Sequence, residues 1–352
     1  MGGEKSMAAD LAECNLESRV PLRAGKTLGM PRFGLGTWRA QPNEVAQAVE
    51  CALSNGYIHL DCAAIYRNEH EVGDGIAKAI AAGKITRDKL WVTSKLWCTK
   101  FRPEDVKSGL QKTLDDLGLE YIDQYLPHWP CPMVPSDIAT EPWPKDENGV
   151  IRAADVGLTD TWRAMEKLVD EGLVKTLGMS NFSIEEAKLI LDNCDIPPVV
   201  DQVECHPFRP QHQLKDFLKS EGIHMVAYSP LGNVRDNDIS GLTDPLVVDL
   251  GNKYNKSPAQ ICLRWHLQRG VIVIPKSVTP SRIIDNTKVF GFQLSDDDMA
   301  RLSKLSEEEG KQRRWFNPEY REGGVKVFPD TAGTNTQGYT RSVCPSLRWL
   351  AG

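Results

Sequence analysis

The sequence contains no pair of cysteines in C-x-x-C spacing, no long apolar run and no excess of positive charge. Its nine cysteines are scattered, so neither a zinc ribbon nor a redox dithiol is predicted, and single thiols are typical of a cytoplasmic protein. No segment is apolar enough over about 20 residues to cross a bilayer, and no signal-peptide core lies near the start. The net charge of −6 argues against nucleic acid and against stable membrane association. We therefore expect a cytoplasmic location.

Strand-like and helix-like segments alternate along most of the chain. The 352 residues are 41% hydrophobic and 26% charged, which is enough for a large buried core under a polar surface. The strand-like runs lie at residues 31–38, 57–63, 90–97, 121–128, 174–181, 199–206, 223–230 and 271–278. Predicted helix starts include Asn43, Thr159 and Ser183, and Gly118 is a predicted stop. Eight alternating units over about 250 residues predict a closed (β/α)8 TIM barrel of the α/β class.

An open, doubly wound sheet is the alternative architecture, and the segment GLGTWR at residues 34–39 tests it. The segment follows a strand-like run and contains G-x-G, but Arg39 takes the place of the third glycine of a dinucleotide fingerprint. We therefore interpret these glycines as residues that ease a strand end in a barrel.

Three segments depart from the simple alternation. Residues 18–30 resemble a β-hairpin that plugs the N-terminal end of the barrel, after an extension at residues 1–17. Residues 130–158 form a long proline-rich loop, and long loops in compact domains are usually functional. Residues 310–352 are polar and glycine-rich with interspersed aromatics, so we expect a tail packed on the barrel. The predicted organisation is a single (β/α)8 domain over residues 18–352.

Four complementary polar residues follow consecutive strand-like runs. Asp61 ends the second run, Tyr66 lies in the loop after it, Lys95 lies near the end of the third run, and His128 ends the fourth. In a (β/α)8 barrel the C-terminal strand ends meet at one rim, where catalytic residues lie. A phenol can donate a proton, an ammonium group lowers the pKa of the phenol, a carboxylate fixes the ammonium group, and an imidazole orients an incoming oxygen. The set fits proton donation to the oxygen of a carbonyl group whose carbon receives a hydride.

Each of these residues alone has an ordinary structural interpretation. A single Tyr after a strand is usually a packing residue, a single Lys is usually solvated, and Asp61 could cap a helix. The joint placement favours the functional interpretation, and Lys95 inside the apolar run LWVTSKLW needs a charge partner, for which Asp61 is the natural choice.

The chain also resembles the aldo-keto reductase superfamily, and within it the aldose and aldehyde reductases. The resemblance is carried, in order, by GLGTW, HLDCAAIYRNE, SKLW, HWP, GMSNF, QVECHP, YSPLG and IPKSVTPSRIIDN. It implies NADPH-dependent reduction of aldehydes or ketones to alcohols, without metal, by a monomeric enzyme. It places Asp61, Tyr66, Lys95 and His128 in the catalytic tetrad, with Tyr66 as the acid.

The later motifs supply candidate cofactor contacts. Ser180, Asn181 and Gln202 offer amide and hydroxyl groups, and the Tyr228 ring can stack on a flat heterocycle; the resemblance assigns them to the nicotinamide. The run from Lys276 to Arg282 concentrates cations and hydroxyls, as a phosphate site requires. The resemblance assigns that run to the adenosine 2′-phosphate. The predicted contacts are Thr37, Trp38, Ser180, Asn181, Gln202, Tyr228, Ser229, Leu231, Lys276, Ser277, Val278, Thr279, Arg282, Asp285 and Asn286.

The substrate pocket is predicted to be aromatic. Trp38, Trp97 and Trp129 lie at strand ends beside the tetrad, and Ile65 precedes Tyr66. Three features depart from the family pattern: Pro127 before the tetrad histidine, a short segment at residues 232–244, and the tail after about residue 310.

Two other functions compete with carbonyl reduction. One is a non-catalytic NADP(H)-binding subunit on the same fold that senses redox state for a partner. The other is a barrel isomerase or lyase that acts on phosphorylated sugars, which the phosphate site alone would fit. The intact tetrad speaks against the first, and the tetrad has no clear role in the second.

Overall fold

The computed structural model describes most of the chain. It covers residues 14–23, 29–232, 240–308 and 310–315, together with the backbone of residues 319–321 and 325–326.

Eight parallel strand positions form a closed barrel. The barrel strands are β3 (Leu35–Gly36), β4 (His59–Asp61), β5 (Trp91–Leu96), β6 (Ile122–Pro127), β7 (Val174–Leu177) continued by β8 (Met179–Ser180), β9 (Val200–Glu204), β10 (His224–Tyr228) and β11 (Ile272–Val273). Strands β3 to β7 pair in sequence order, and so do β8 to β11. Gly34 N–H donates to Val273 O at 2.9 Å and Gly36 N–H donates to Pro275 O at 3.1 Å. These bonds join the last strand to the first, so the predicted (β/α)8 barrel is confirmed.

Glycine is favoured at two points of the ring because neighbouring strands leave little room for a Cβ atom there. A Cβ atom on Gly36 would lie 2.8 Å from Ile274 O at the closure. A Cβ atom on Gly178, which separates β7 from β8, would lie 2.6 Å from Val200 Cγ2. The G-x-G segment therefore permits barrel closure, as its interpretation predicted.

Helices follow the strands around the outside of the ring. They are α1 (Val45–Ser54), α2 (Glu69–Ala81), α3 (Pro103–Leu117), α4 (Leu158–Asp170), α5 (Ile184–Asn193), α6 (His212–Ser220), α7 (Pro245–Tyr254), α8 (Pro258–Gln268), α9 (Pro280–Asn286) and α10 (Asp296–Ser303). Ser183 caps α5 through a reciprocal bond pair with Glu186, as predicted. The other two predicted starts were wrong: Thr159 lies inside α4, and Asn43 precedes the N-cap with a positive φ of 67°.

The N-terminal hairpin is confirmed. Strands β1 (Arg19–Val20) and β2 (Met30–Pro31) pair antiparallel, with Val20 opposite Met30. Both side chains are buried in one apolar cluster with Val200 of β9 and Val226 of β10. Residues 24–28 of the predicted hairpin lie outside the described residues.

The segment between β6 and α4 is a long ordered loop, as expected. It contains no helix, and two short antiparallel bridges, Met133 with Ala153 and Lys145 with Ile151, hold it together. Trp97 Nε1–H donates to Pro142 O at 2.8 Å, and Arg67 donates to Ile138 O at 2.5 Å. Both bonds fasten the loop over the C-terminal rim of the barrel.

The tail is described only in part. Residues 310–315 contact β9 and the loop after it, where Trp315 N–H donates to Glu204 Oε1 at 2.9 Å and Arg313 N–H donates to Phe208 O at 3.2 Å. Glu319–Arg321 pairs antiparallel with Val325–Lys326. The rest of the predicted tail, most of the short segment at 232–244 and residues 1–13 of the predicted extension lie outside the described residues. Within the described part of the chain, no helix combines the length and apolar character that a membrane crossing requires.

Candidate active site

The four predicted tetrad residues meet at the C-terminal rim. Asp61 is the last residue of β4, Tyr66 ends a short 3-10 turn, Lys95 is the fifth residue of β5, and His128 follows β6 directly. Asp61, Tyr66 and His128 line a cavity of about 860 Å³. Lys95 lies beneath them and is fully buried.

The Asp61 carboxylate is the centre of a buried polar network. Lys95 Nζ donates to Asp61 Oδ1 at 2.6 Å and to Cys62 O at 2.8 Å. Gln202 Nε2 donates to the other carboxylate oxygen at 2.6 Å. Each carboxylate oxygen therefore has a donor and the ammonium group has a counter-ion, which is what a buried charge pair requires.

Tyr66 lies over the Lys95 ammonium group. Lys95 Nζ is 5.3 Å from the centroid of the Tyr66 ring, and the ring is half-buried in the cavity wall. Burial raises the pKa of Tyr66 well above its ordinary value, and the Asp61 carboxylate raises it further. The expected lowering of this pKa by the Lys95 ammonium group stays a prediction, whereas burial and the Asp61 carboxylate set the net direction upward. The phenol is thus protonated at neutral pH, the form that donates a proton.

His128 packs against two aromatic rings of the site. Its ring centroid lies 5.8 Å from that of Tyr66 and 5.3 Å from that of Trp97, both in edge-to-face geometry. Burial lowers the pKa of His128 well below its ordinary value, and the Lys95 ammonium group lowers it further. The imidazole is therefore neutral. His128 N–H donates to Leu96 O at 3.0 Å, so the strand ladder continues past Pro127.

The predicted nicotinamide contacts form a connected network on the same wall. Tyr228 Oη donates to Asn181 Oδ1 at 2.9 Å, and Asn181 Nδ2 donates to His128 O at 2.9 Å and to Ser180 Oγ at 3.2 Å. Ser180, Asn181, Gln202 and Tyr228 all line the cavity. The Asn181 amide nitrogen uses both hydrogens within the protein, so the remaining lone pair of Oδ1 is what Asn181 offers to a ligand amide.

Four further predicted cofactor residues lie near this network. Thr37 Oγ1 donates to Asp61 O at 2.8 Å, and Trp38 is 37% exposed beneath the Arg39 guanidinium group. Thr37, Trp38 and Ser229 line the cavity, whereas Leu231 packs partly buried against the core.

The predicted phosphate cluster extends outward from the cavity along α9. Lys276 lines the cavity and donates to Arg39 O at 3.2 Å. Burial lowers the pKa of Lys276 below its ordinary value, partly opposed by Glu44. Arg282 is exposed and forms no ion pair with the described residues. Ser277 Oγ accepts the N–H of Thr279 at 3.1 Å, which shapes the turn into α9.

The last three predicted contacts differ in what they can offer. Asp285 is exposed and paired with Lys288 at 2.7 Å, Asn286 is buried, and Val278 is partly buried against the core. Val278, Asp285 and Asn286 do not line the cavity. The structure thus brings Lys276 to the cavity and leaves these three residues outside it.

The predicted substrate-pocket residues all line the cavity, but sequence reasoning missed much of its wall. Trp38, Ile65, Trp97 and Trp129 contribute as expected. The missed lining residues are Gly36, Arg39, Arg67, Pro142, Trp143, Lys145, Gly149, Ile151, Glu204, Ile274 and Trp315. Five of them come from the long loop after His128, which the sequence marked as functional without indicating which side chains point inward.

Trp315 closes the wall from the opposite side. Its backbone N–H donates to Glu204 Oε1 at 2.9 Å, and its ring lies 4.3 Å from the His206 ring, centroid to centroid. Glu204 Oε1 also lies 3.0 Å from His206 Nε2. These contacts join distant parts of the chain, and no sequence spacing indicates them.

Among the described residues, no group of three or more His, Cys, Asp or Glu side chains is arranged to hold a metal ion.

Comparison with known proteins agrees with this geometry. The profile of the Aldo/keto reductase family matches residues 27–307. Aldo-keto reductase family 1 member A1 of Sus scrofa is 47% identical over 310 residues, covering 86% of this chain and 93% of that protein. Member A1-A of Danio rerio is 46% identical over 307 residues, with the same coverage. The solved aldose reductase of Schistosoma japonicum superposes with a TM-score of 0.78 at 42% identity, covering 85% of this chain and 94% of that one. This chain therefore belongs to the aldo/keto reductase family.

Proposed function

We propose that the protein reduces aldehydes and ketones to alcohols with NADPH, and that Tyr66 donates the proton. Membership of the family makes the chain an oxidoreductase of carbonyl compounds. The observation that carries the residue assignment is the Lys95–Asp61 pair, 2.6 Å long and fully buried, beneath the Tyr66 ring at the floor of the cavity.

The four residues have complementary tasks in this reaction. NADPH, when bound, supplies the hydride. Tyr66, neutral because burial raises its pKa, donates its proton to the carbonyl oxygen. Lys95 stabilises the phenolate that forms, and Asp61 holds Lys95 in place. His128, neutral because burial lowers its pKa, donates a hydrogen bond that orients the carbonyl oxygen.

The residues of the wall fit a nicotinamide cofactor. Asn181 Oδ1 keeps one acceptor site for a carboxamide, and the half-buried Tyr228 ring offers a stacking face beside it. Lys276 at the cavity edge and the exposed Arg282 on α9 offer two cations for a phosphate. Two cations outside the nicotinamide wall could bind the 2′-phosphate that NADPH has and NADH lacks. They therefore support NADPH as the cofactor.

The cavity wall supports an aromatic or other apolar aldehyde as substrate. Trp97 and Trp143 meet edge to face at 4.7 Å between ring centroids, and Trp129 and Ile151 are buried beside them. Apolar walls with few polar groups favour the apolar body of a ligand and leave its reacting group to the polar floor.

Carbonyl reduction also accounts for more of the site than the competing functions do. A non-catalytic nucleotide-binding subunit has no use for a buried ion pair beneath a tyrosine, and no described residue favours it. An isomerase of phosphorylated sugars would need the whole phosphate cluster to face the cavity, but of that cluster only Lys276 lines it. The cytoplasmic location and the monomeric state stay predictions.

Steady-state oxidation of NADPH against a panel of carbonyl compounds tests the proposal. The panel contains aldoses, aromatic aldehydes, methylglyoxal and ketosteroids, and each assay is repeated with NADH. We expect the highest kcat/KM for aromatic aldehydes with NADPH. Failure to reduce any member of the panel with either cofactor would contradict the proposal.

A further inference from the structure

Glu69 is a buried carboxyl group that lies outside the cavity and has no role in the reaction described so far. It is only 2% exposed. Ser94 Oγ donates to Oε1 at 2.5 Å, and Thr113 Oγ1 donates to Oε2 at 2.9 Å. No Lys, Arg or His of the described residues forms an ion pair with it. Neutral hydroxyls alone hold the carboxyl group, so its ionisation in this place is costly.

The two bonds of Glu69 connect the segments that carry the catalytic groups. Glu69 is the first residue of α2 and follows Tyr66 by three positions. Ser94 precedes Lys95 in β5, and Thr113 lies in α3. The carboxyl group therefore ties the turn of Tyr66 to the strand of Lys95 and braces both against α3.

The charge of Glu69 also reaches the site. The ionisable groups that face it are Lys95 from β5, Asp116 from α3, Cys62 after β4, Tyr66 from the 3-10 turn and Tyr125 from β6. Burial raises the pKa of Glu69 to about 7, against the lowering by its two hydroxyl donors. Ionised Glu69 in turn raises the pKa of Tyr66.

We propose that Glu69 is a positioning residue of the reductase, which holds the Tyr66 turn against the Lys95 strand and makes Tyr66 a weaker proton donor when it ionises. The inference rests on the proposed function of the site. Below neutral pH the carboxyl group is neutral, and the phenolate forms beside Lys95 without an added negative charge. Above neutral pH a second negative charge opposes the phenolate, so kcat for reduction falls as the pH rises.

The charge is tested with Glu69→Gln, which is neutral at every pH and keeps both hydrogen-bonding partners. We expect kcat of the wild-type protein to fall several-fold as the pH rises through about 7, and kcat of Glu69→Gln to stay at the low-pH level. Glu166→Gln is the matched control, because Glu166 is also buried but accepts only the N–H groups of Asp195 and Ile196 and a contact from Arg163, away from the site. An inflection near pH 7 that persists unchanged in Glu69→Gln would overturn the role of the charge.

The positioning role is tested with Glu69→Ala. We expect kcat to fall at least about 10-fold with the Kd of NADPH unchanged, because the acid moves relative to Lys95 while the cofactor wall is intact. Glu69→Gln should restore most of kcat at about pH 6. Thr113→Val, which removes one tie and keeps the volume, gives the same comparison if the alanine variant does not fold. Wild-type kcat in both Glu69→Ala and Thr113→Val would overturn the tie.

A readout without turnover separates this inference from the proposed function. Infrared difference spectra of the protein without cofactor should show a protonated carboxylic acid that ionises near pH 7 in the wild type and is absent in Glu69→Gln. A wild type that shows this titration but reduces no carbonyl compound would contradict the proposed function. If the wild type reduces carbonyl compounds but shows no titration near pH 7, only the inference about Glu69 is contradicted. The same holds if the Glu69 variants behave like the wild type.

Discussion

Tyr66 is subject to two opposing effects, and their difference determines when it gives up its proton. Burial and the Asp61 carboxylate raise its pKa, so the resting enzyme keeps the proton. The Lys95 ammonium group, 5.3 Å from the ring centroid, stabilises the phenolate that forms during the reaction. In the proposed reaction the proton therefore leaves when a carbonyl oxygen gains charge, and not before.

Replacing Tyr66 with Phe removes the phenolic proton and changes the volume of the side chain little. We expect kcat to fall by at least about 10²-fold, the lower end for the loss of general acid catalysis, with the Kd of NADPH nearly unchanged. Steady-state kinetics and fluorescence titration with NADPH measure the two quantities. Tyr121→Phe is the control, because that ring packs on Arg87 and Lys175 outside the site. Near-wild-type turnover of the Tyr66 variant would rule out its role as the acid.

Lys276 and Arg282 are expected to distinguish NADPH from NADH. Replacing either with Gln should weaken NADPH binding by about 1.5–3 kcal/mol, as for a lost charge-assisted hydrogen bond, and should change NADH binding much less. Lys256→Gln is a control, because Lys256 is a half-buried cation that bonds Lys288 O and does not line the cavity. Equal losses for both cofactors would show that neither residue reads the 2′-phosphate.

The loop at residues 130–157 is an element without regular structure that forms one wall of the cavity. Truncating Trp143 to Ala removes the ring that packs on Trp97. We expect kcat/KM for aromatic aldehydes to fall about 5–30-fold, equivalent to about 1–2 kcal/mol of lost apolar contact, and that for a two-carbon aldehyde to change little. Ile138→Ala in the same loop is the control, since its side chain does not line the cavity. Equal losses for large and small aldehydes would contradict a direct contact with substrate.

The sequence predicted a structural feature well where the pattern lies within a few adjacent residues. It predicted poorly where the feature depends on distant parts of the chain. Each of the eight strand-like runs contains a barrel strand, because an apolar run bounded by turn residues is visible in a short window. The closure through Gly34 and Gly36 depends on a strand more than 230 residues away, so only the overall count of units suggested it. The helix starts at Asn43 and Thr159 were wrong by one or two residues because several polar residues there could act as caps.

The same distinction applies to the site. The tetrad was predictable because barrel geometry brings successive strand ends to one rim. Trp143 and Trp315 were not, because their positions depend on how a loop and the tail fold back over that rim. Glu69 was also missed, since its importance comes from hydroxyl groups on two other elements.

The stability of the whole molecule should depend on four buried histidines. Burial lowers the pKa of His59, to about 3, and of His128, His206 and His266. Each stays neutral when folded but takes up a proton below about pH 6.5 when unfolded, so stability is present above that pH and is lost as the pH falls.

Two buried acids change the stability in the opposite direction with pH, but the four histidines outweigh them. Burial raises the pKa of Glu69 and of Asp201, so each stabilises the fold at low pH and loses that contribution as the pH rises. We expect the free energy of unfolding in urea to fall by about 2 kcal/mol per pH unit near pH 5.5. His266→Gln should make the dependence shallower, and a free energy that rises on acidification would contradict the account.

The attachment of the long loop has a consequence for how the enzyme can diversify. Both side chains that fasten it, Arg67 and Trp97, bind backbone carbonyl oxygens, those of Ile138 and Pro142. A carbonyl oxygen is present whatever residue stands at that position, so the anchors place no demand on the identity of the loop side chains. Evolution or directed mutagenesis can therefore exchange the loop side chains that line the cavity beyond the anchors, from Trp143 to Ile151. The range of accepted aldehydes would change with them, while the proton-donating residues below are inherited unchanged.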